Sequence, residues 1–248
     1  AGVAVGTSSE ATTYMAAAVG NSAKATGSAS TAIGYNTKAS ASNTVALGSN
    51  AEASNTSAVA IGNRSNASGS SSIAIGPSAA ASARYSTALG ASSSATADYS
   101  LASGYQANAS GNYGVASGYQ AQATNYYTTA VGYQSKATSS SASAYGNGAT
   151  ASGAYSAALG YNSAAAGNSA IAIGNAANVA STAANSVAIG KSASATSSNS
   201  VALGQNSLAD TTGVATTGYL TDEPFSASNG VVSGGNASYT DASGKTVA

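Results

Sequence analysis

The chain has 248 residues, 6% of them charged, and its 7 Lys and Arg balance its 7 Asp and Glu. A neutral chain offers no basic face to nucleic acid or to an anionic membrane, so both are excluded as partners. The absence of Cys and His excludes disulfides, thiolate chemistry and the commonest metal ligands, and neither a metal nor a cofactor is expected.

The opening residues, AGVAVGTSSE, lack the basic flank and long apolar run of a secretory signal. No apolar run approaches the roughly 18 residues of a membrane-spanning helix. The chain therefore reads as a mature region or a soluble piece of something longer. A Gly then recurs every 14 residues from Gly6 to Gly174; one step of 16 leads to Gly190, and steps of 14 continue to Gly204 and Gly218. That makes sixteen units over residues 1–220, with one two-residue insertion between 174 and 190. A Ser, Gly and Ala composition in random order would read as a disordered linker, but a linker has no reason to keep a register.

Each unit repeats one pattern around its Gly. Ala stands two before it in all units but that of Thr216, and five after it in all but those of Val179 and Glu223. Ala, Ser or Thr always stands three after it. Alternation at period two marks strands, so each unit is predicted to be a short strand, a turn at Gly, a second short strand and a second turn. Fourteen residues at about 3.3 Å each close such a coil, and coils stacked about 4.8 Å apart pair equivalent strands.

In chain order, the first four coils carry Glu10, Lys24, Lys38 and Glu52 at one site, four after Gly, where Lys136 also falls. Glu10 with Lys24, Lys38 with Glu52 and Arg84 with Asp98 are expected to pair across neighbouring strands and hold register. The fourth to sixth coils bring branched aliphatics three and one before Gly: Val45 and Leu47, Val59 and Ile61, Ile73 and Ile75. A Tyr-rich stretch follows, with Tyr85, Tyr99, Tyr113, Tyr127 and Tyr155 five before Gly, and Tyr105, Tyr119, Tyr133 and Tyr161 directly after it. The aliphatics then return as Ile171 and Ile173, Val187 and Ile189, Val201 and Leu203. Residues 221–248 break the pattern with Glu223, Pro224 and the phrase NGVVSGG, and read as an irregular insert or neck-leading segment.

The all-Ala positions are assigned to the inside of a flat roll. Through Gly204 no charge falls two before, three after or five after Gly, which supports the assignment. The aliphatics at the other parity must then face outward, in a stripe too large for a lone soluble chain. Burial against identical copies under closed cyclic symmetry is the expected solution. In the reverse arrangement the aliphatics fill the roll and Ala faces water, an odd use of so uniform a row.

NSVAIGKSASA and NSVALGQNSLA, at residues 185–195 and 199–209, carry a resemblance to the head repeat of YadA-like trimeric autotransporter adhesins. It extends over about residues 1–220. The resemblance implies an all-β, left-handed parallel β-roll solenoid in each chain of a homotrimer. It also implies a non-catalytic adhesin at the surface of a Gram-negative bacterium, anchored in the outer membrane by a neck, stalk and barrel that this segment lacks. Extracellular matrix protein such as collagen, fibronectin or laminin, or an abiotic surface, is the partner it implies, with no membrane contact by the segment itself.

Catalysis has little to draw on, since Asp210, Asp222, Glu223 and Asp241 gather only toward the irregular end. Binding is better served by the tyrosines, which should stack into columns. Two readings stand side by side: the columns close the subunit interface where Ser103 and Ser117 replace aliphatics, or they form an exposed ladder that grips a target. A structural spacer in a surface fibre is the alternative function. An ice- or mineral-binding solenoid is a third, though Thr31, Thr87 and Thr129 are too sporadic to make its regular rows.

Overall fold

The computed structural model describes residues 2–210, 239–240 and 246–247. The sixteenth expected coil, around Gly218, and most of the irregular segment lie outside the described residues. The coils fall into two units, Ala1–Ser141 and Ala142–Ala248. In the first, ten three-residue strands run from Val3–Val5 to Thr129–Val131, and ten two-residue strands from Glu10–Ala11 to Lys136–Ala137. Each set forms a parallel sheet in sequence order. The second unit repeats this with five strands of each kind, from Ser143–Tyr145 to Val201–Leu203 and from Thr150–Ala151 to Leu208–Ala209. A short antiparallel pair, Tyr239–Thr240 with Thr246–Val247, completes the described residues. The predicted all-β parallel solenoid of 14-residue coils is the observed fold.

Register follows the sequence period. Val45 pairs with Val59 and Ile61 with Ile75, each 14 residues on. Ile171 pairs instead with Val187 and Asn178 with Ser194, so the two extra residues are absorbed without disturbing either ladder. They enlarge the turn after Asn178–Val179, where Thr182 Oγ1 donates to the Thr196 carbonyl at 3.2 Å and accommodates the bulge.

The interior is largely alanine, as the charge-free alanine positions predicted. Ala46, Ala60 and Ala74 before Gly, and Ala53, Ala67 and Ala81 after it, are fully buried. A further buried row, four before Gly, escaped the sequence reading: Thr44, Ser72, Ser86, Ser100 and Thr128 occupy it. Hydroxyls fit there because each donates to the carbonyl three residues back, Ser72 to Gly69 at 2.7 Å, Ser86 to Ala83 at 2.7 Å and Ser100 to Ala97 at 2.6 Å. Ser65, three after its Gly, makes the equivalent bond to Gly62 at 3.0 Å. Among the described residues no buried side-chain polar atom lacks a partner, as a small-residue core requires.

These matched rows expose a second period. Left-handed residues recur every seven positions, as at Asn50 (φ 57°), Ser57 (57°), Arg64 (56°) and Ser71 (54°). Each coil is therefore built from two similar seven-residue halves. Gly breaks the likeness once per coil. Gly62 has φ 132°, and a Cβ there would stand 2.6 Å from the carbonyl oxygen of Gly76 in the next coil. The mark that reveals the repeat is thus a close approach between stacked coils that no side chain can occupy.

Candidate functional site

With alanine inside, the chain's chemistry lies on its outer columns. The aliphatics three and one before Gly turn away from the interior. Val45, Leu47, Ile75, Ile171, Ile189, Val201 and Leu203 are exposed, and Val59, Ile61, Ile73, Ile173 and Val187 half-buried. Leu47 keeps 42% of its surface accessible. In the first unit the column just before Gly is apolar from Val5 through Leu89 and again at Val131, broken only by Ser103 and Ser117.

The tyrosines stand at the turns on either side of the three-residue strands. Five before Gly, Tyr85, Tyr99, Tyr113 and Tyr127 form one face-stacked column, with centroids 5.1, 5.0 and 5.0 Å apart. Directly after Gly, Tyr105, Tyr119 and Tyr133 form a second, at 5.3 and 5.0 Å. The spacing is the strand spacing of the ladders beneath. All seven rings are exposed, Tyr127 at 60%. Tyr155 and Tyr161 belong to the second unit and are exposed, and the stacks do not include them.

The first column sits on an unfavourable backbone. Tyr99 and Tyr113 have φ of 59°, in a turn where other coils place Asn43 or Ser71. Left-handed backbone costs a side-chain-bearing residue about 1–2 kcal/mol, and Asn tolerates it best among the residues used here. Aromatic stacks return about 0.5–1.5 kcal/mol per pair, and three stacks serve four such residues. Stability alone gives little reason for Tyr over Asn at these turns.

Polar ladders accompany the rings. Gln120 Nε2 donates to Gln106 Oε1 at 2.8 Å, and Gln134 Nε2 to Gln120 Oε1 at 2.9 Å, beside the second Tyr column. At the first column's start, Arg84 meets Asp98 at 2.9 Å and its guanidinium carbon lies 5.9 and 5.6 Å from the Tyr85 and Tyr99 ring centroids. The hydrogen bond to Asp98, with a lesser contribution from Tyr99, raises Arg84 above its usual range. Sequence reasoning paired Arg84 with Asp98 but missed the ring contacts and the Gln ladder. The thrice-repeated phrase Gly-Tyr-Gln at 104–106, 118–120 and 132–134 was the available signal. It also missed the exposed Tyr14, Tyr126 and Tyr145.

Of the other expected charge pairs, Lys24 and Glu10 bond at 3.0 Å. Lys38 and Glu52 are register partners without a direct ion pair. Lys24 also lies beside Lys38, so the column sets one attraction against one repulsion.

Comparison with known proteins gives a family. The model described as YadA head domain repeat (2 copies) matches at residues 14–37, 25–51, 39–65, 53–79, 67–93, 81–107, 95–121, 123–149, 151–177 and 181–207. Among solved structures, the collagen-binding domain of the Yersinia adhesin YadA is similar, at 22% identity over 82% of this chain and 80% of that one, with a TM-score of 0.25. No curated protein matches.

Proposed function

The chain belongs to the YadA head family, and from that membership we propose that residues 1–220 form the head of a homotrimeric adhesin on the surface of a Gram-negative cell. Regions outside this segment hold it in the outer membrane. Its work is attachment, to a matrix protein such as collagen, fibronectin or laminin or to an abiotic surface, with no catalytic step. Three copies of a repetitive face turn weak contacts into avidity.

The outward aliphatic stripe carries the reading. Alanine and small hydroxyl residues fill the coils, so Val45, Leu47, Ile75 and their equivalents have nowhere to bury within their own chain. Full burial of such a side chain stabilises by about 1.5–3 kcal/mol. These are already partly covered, so roughly half of that remains to be gained at each. Over twelve positions in three chains, the sum exceeds the estimated 4–15 kcal/mol that association costs.

Attachment is assigned to the tyrosine coils from Tyr85 to Tyr161. Support comes from the exposure of the rings and from the left-handed backbone that Tyr99, Tyr113 and Tyr127 hold. The test uses light scattering and adhesion to collagen-, fibronectin-, laminin- and polystyrene-coated wells. The expected mass is about three times the 23.2 kDa of one chain. Replacing Tyr99, Tyr113 and Tyr127 by Ser should keep that mass and weaken attachment. A 23.2 kDa particle at micromolar concentration refutes the assembly, and unchanged attachment by the triple variant refutes the assigned face.

A further inference from the structure

Few side chains of this protein give up an electron readily. It has no Cys, His or Trp and a single Met, against 15 Tyr. That one thioether, Met15, lies in the coil of Gly20, well before the stacked tyrosines. A one-electron oxidant that reaches residues 85–133 therefore meets tyrosine and no competing donor.

Seven of those tyrosines are held against one another. Within the column from Tyr85 to Tyr127 and the column from Tyr105 to Tyr133, neighbouring centroids are 5.0–5.3 Å apart and the ring planes differ by 2–20°. Each neighbour stands 14 residues on, so the two backbones are one strand step apart, about 4.8 Å. The seven rings are 41–60% exposed, which opens the phenols to a soluble oxidant. Exposed side chains also change rotamer within picoseconds to nanoseconds, so two stacked rings on a turn can swing edge to edge.

We propose that the two columns are oxidative cross-linking sites, where a haem peroxidase with hydrogen peroxide joins tyrosines of consecutive coils as dityrosine. Two one-electron oxidations, each removing an electron and the phenolic proton, leave phenoxyl radicals on adjacent rings. Their Cε carbons, ortho to the oxygens, form one C–C bond. Each of those carbons then releases its hydrogen as a proton, and each oxygen is protonated again. Two phenols and one peroxide thus give one dityrosine and two waters. Radicals held on neighbouring rings couple within the chain, because a fixed pair replaces a chance collision by an intramolecular step. The bond ties one coil to the next in a chain that has no Cys with which to do so. Every linked pair belongs to a single chain, so the inference stands apart from adhesion and from assembly.

The test treats the dilute chain with a haem peroxidase and hydrogen peroxide, then denatures it for gel electrophoresis and digests it with elastase for tandem mass spectrometry. Dityrosine fluorescence should appear in material that still runs as one chain, lighter by two hydrogens per link. The linked peptides should join tyrosines 14 residues apart within the two columns. Tyr99→Phe/Tyr119→Phe/Tyr127→Phe keeps a ring at every place in the stacks but leaves no two phenols on consecutive coils of either column. Although it changes three of the 15 tyrosines, it should lower intrachain dityrosine by roughly tenfold or more. Absence of dityrosine overturns the proposal, as do links found only between chains or an undiminished yield from the triple variant. A wild-type peptide map dominated by the unstacked Tyr14, Tyr126, Tyr145 and Tyr155 overturns it too, whether or not the variant folds.

Discussion

Gly62→Ala tests the claim that stacked coils are set by a contact no side chain can share. The residue holds φ at 132°, a region nearly closed to other amino acids, and occupying it costs about 1–3 kcal/mol. The new methyl would lie 2.6 Å from the Gly76 carbonyl oxygen and 2.7 Å from its carbon. These are backbone atoms, and they cannot retreat without stretching the 2.8 Å bond from Gly76 N–H to the Ile61 carbonyl. Overpacking of this kind adds about 1–3 kcal/mol. A total of about 2–6 kcal/mol is a large share of the 5–15 kcal/mol that holds an ordinary domain. Because solenoid stability is a sum of neighbour terms, the damage should be local. Urea unfolding followed by circular dichroism should show the loss. Hydrogen exchange should show it concentrated in the coils of Gly48, Gly62 and Gly76, with Ser82→Ala on an exposed turn as control. An unfolding midpoint and protection pattern equal to the control's would refute the reasoning.

Ser86→Ala should cost about 0.5–1.5 kcal/mol in the same unfolding assay, since it removes the 2.7 Å bond to the Ala83 carbonyl and leaves only the longer 3.3 Å bond from the Ser86 N–H. Ser86→Thr should be tolerated, because Thr44 and Thr128 already make the equivalent bond at 2.7 Å. Tyr113→Asn deletes two 5.0 Å stacks but suits the left-handed turn better, so stability should move by less than about 1 kcal/mol while the near-ultraviolet dichroism of the column falls. Lys24→Glu exchanges attraction to Glu10 for attraction to Lys38, and the melting midpoint should shift by no more than an exposed pair is worth, about 0.2–1 kcal/mol.

The parts of this fold that sequence reveals are those that must recur in every coil. Gly at 14-residue steps, with alanine at fixed offsets that no charge occupies through Gly204, was enough for the coil, its two strands, its register and the outward stripe. The buried hydroxyl row was harder to see. Ser86 and Thr128 look like surface residues until the carbonyl three residues back is known to lie within reach. The seven-residue half-period was hidden for a related reason. It resides in backbone angles shared by residues as unlike as Arg64, Ser71 and Tyr85, and no residue type announces it. Tyrosine stacking could be anticipated from register, whereas the meeting of Arg84 with two rings depends on side-chain rotamers that spacing does not determine.

That division has a functional consequence. The coil is specified by its Gly, its buried alanines and its small hydroxyl residues, all facing inward or pressed against the next coil. The remaining positions can change without disturbing the stack, which is how Lys38, Ile75, Tyr119 and Ser117 all sit on coils of one design. Position along the solenoid therefore acts as an address, and a property written into consecutive coils becomes a column. The seven stacked tyrosines, with Ser103 and Ser117 in the column just before Gly, lie within residues 85–133 of a unit of ten coils and form a localised feature of this kind. The fold needs neither the rings nor the two serines. Their coincidence on the same coils argues for selection on what that stretch of surface touches, whether ligand or neighbouring subunit, since coils of the same design close without them.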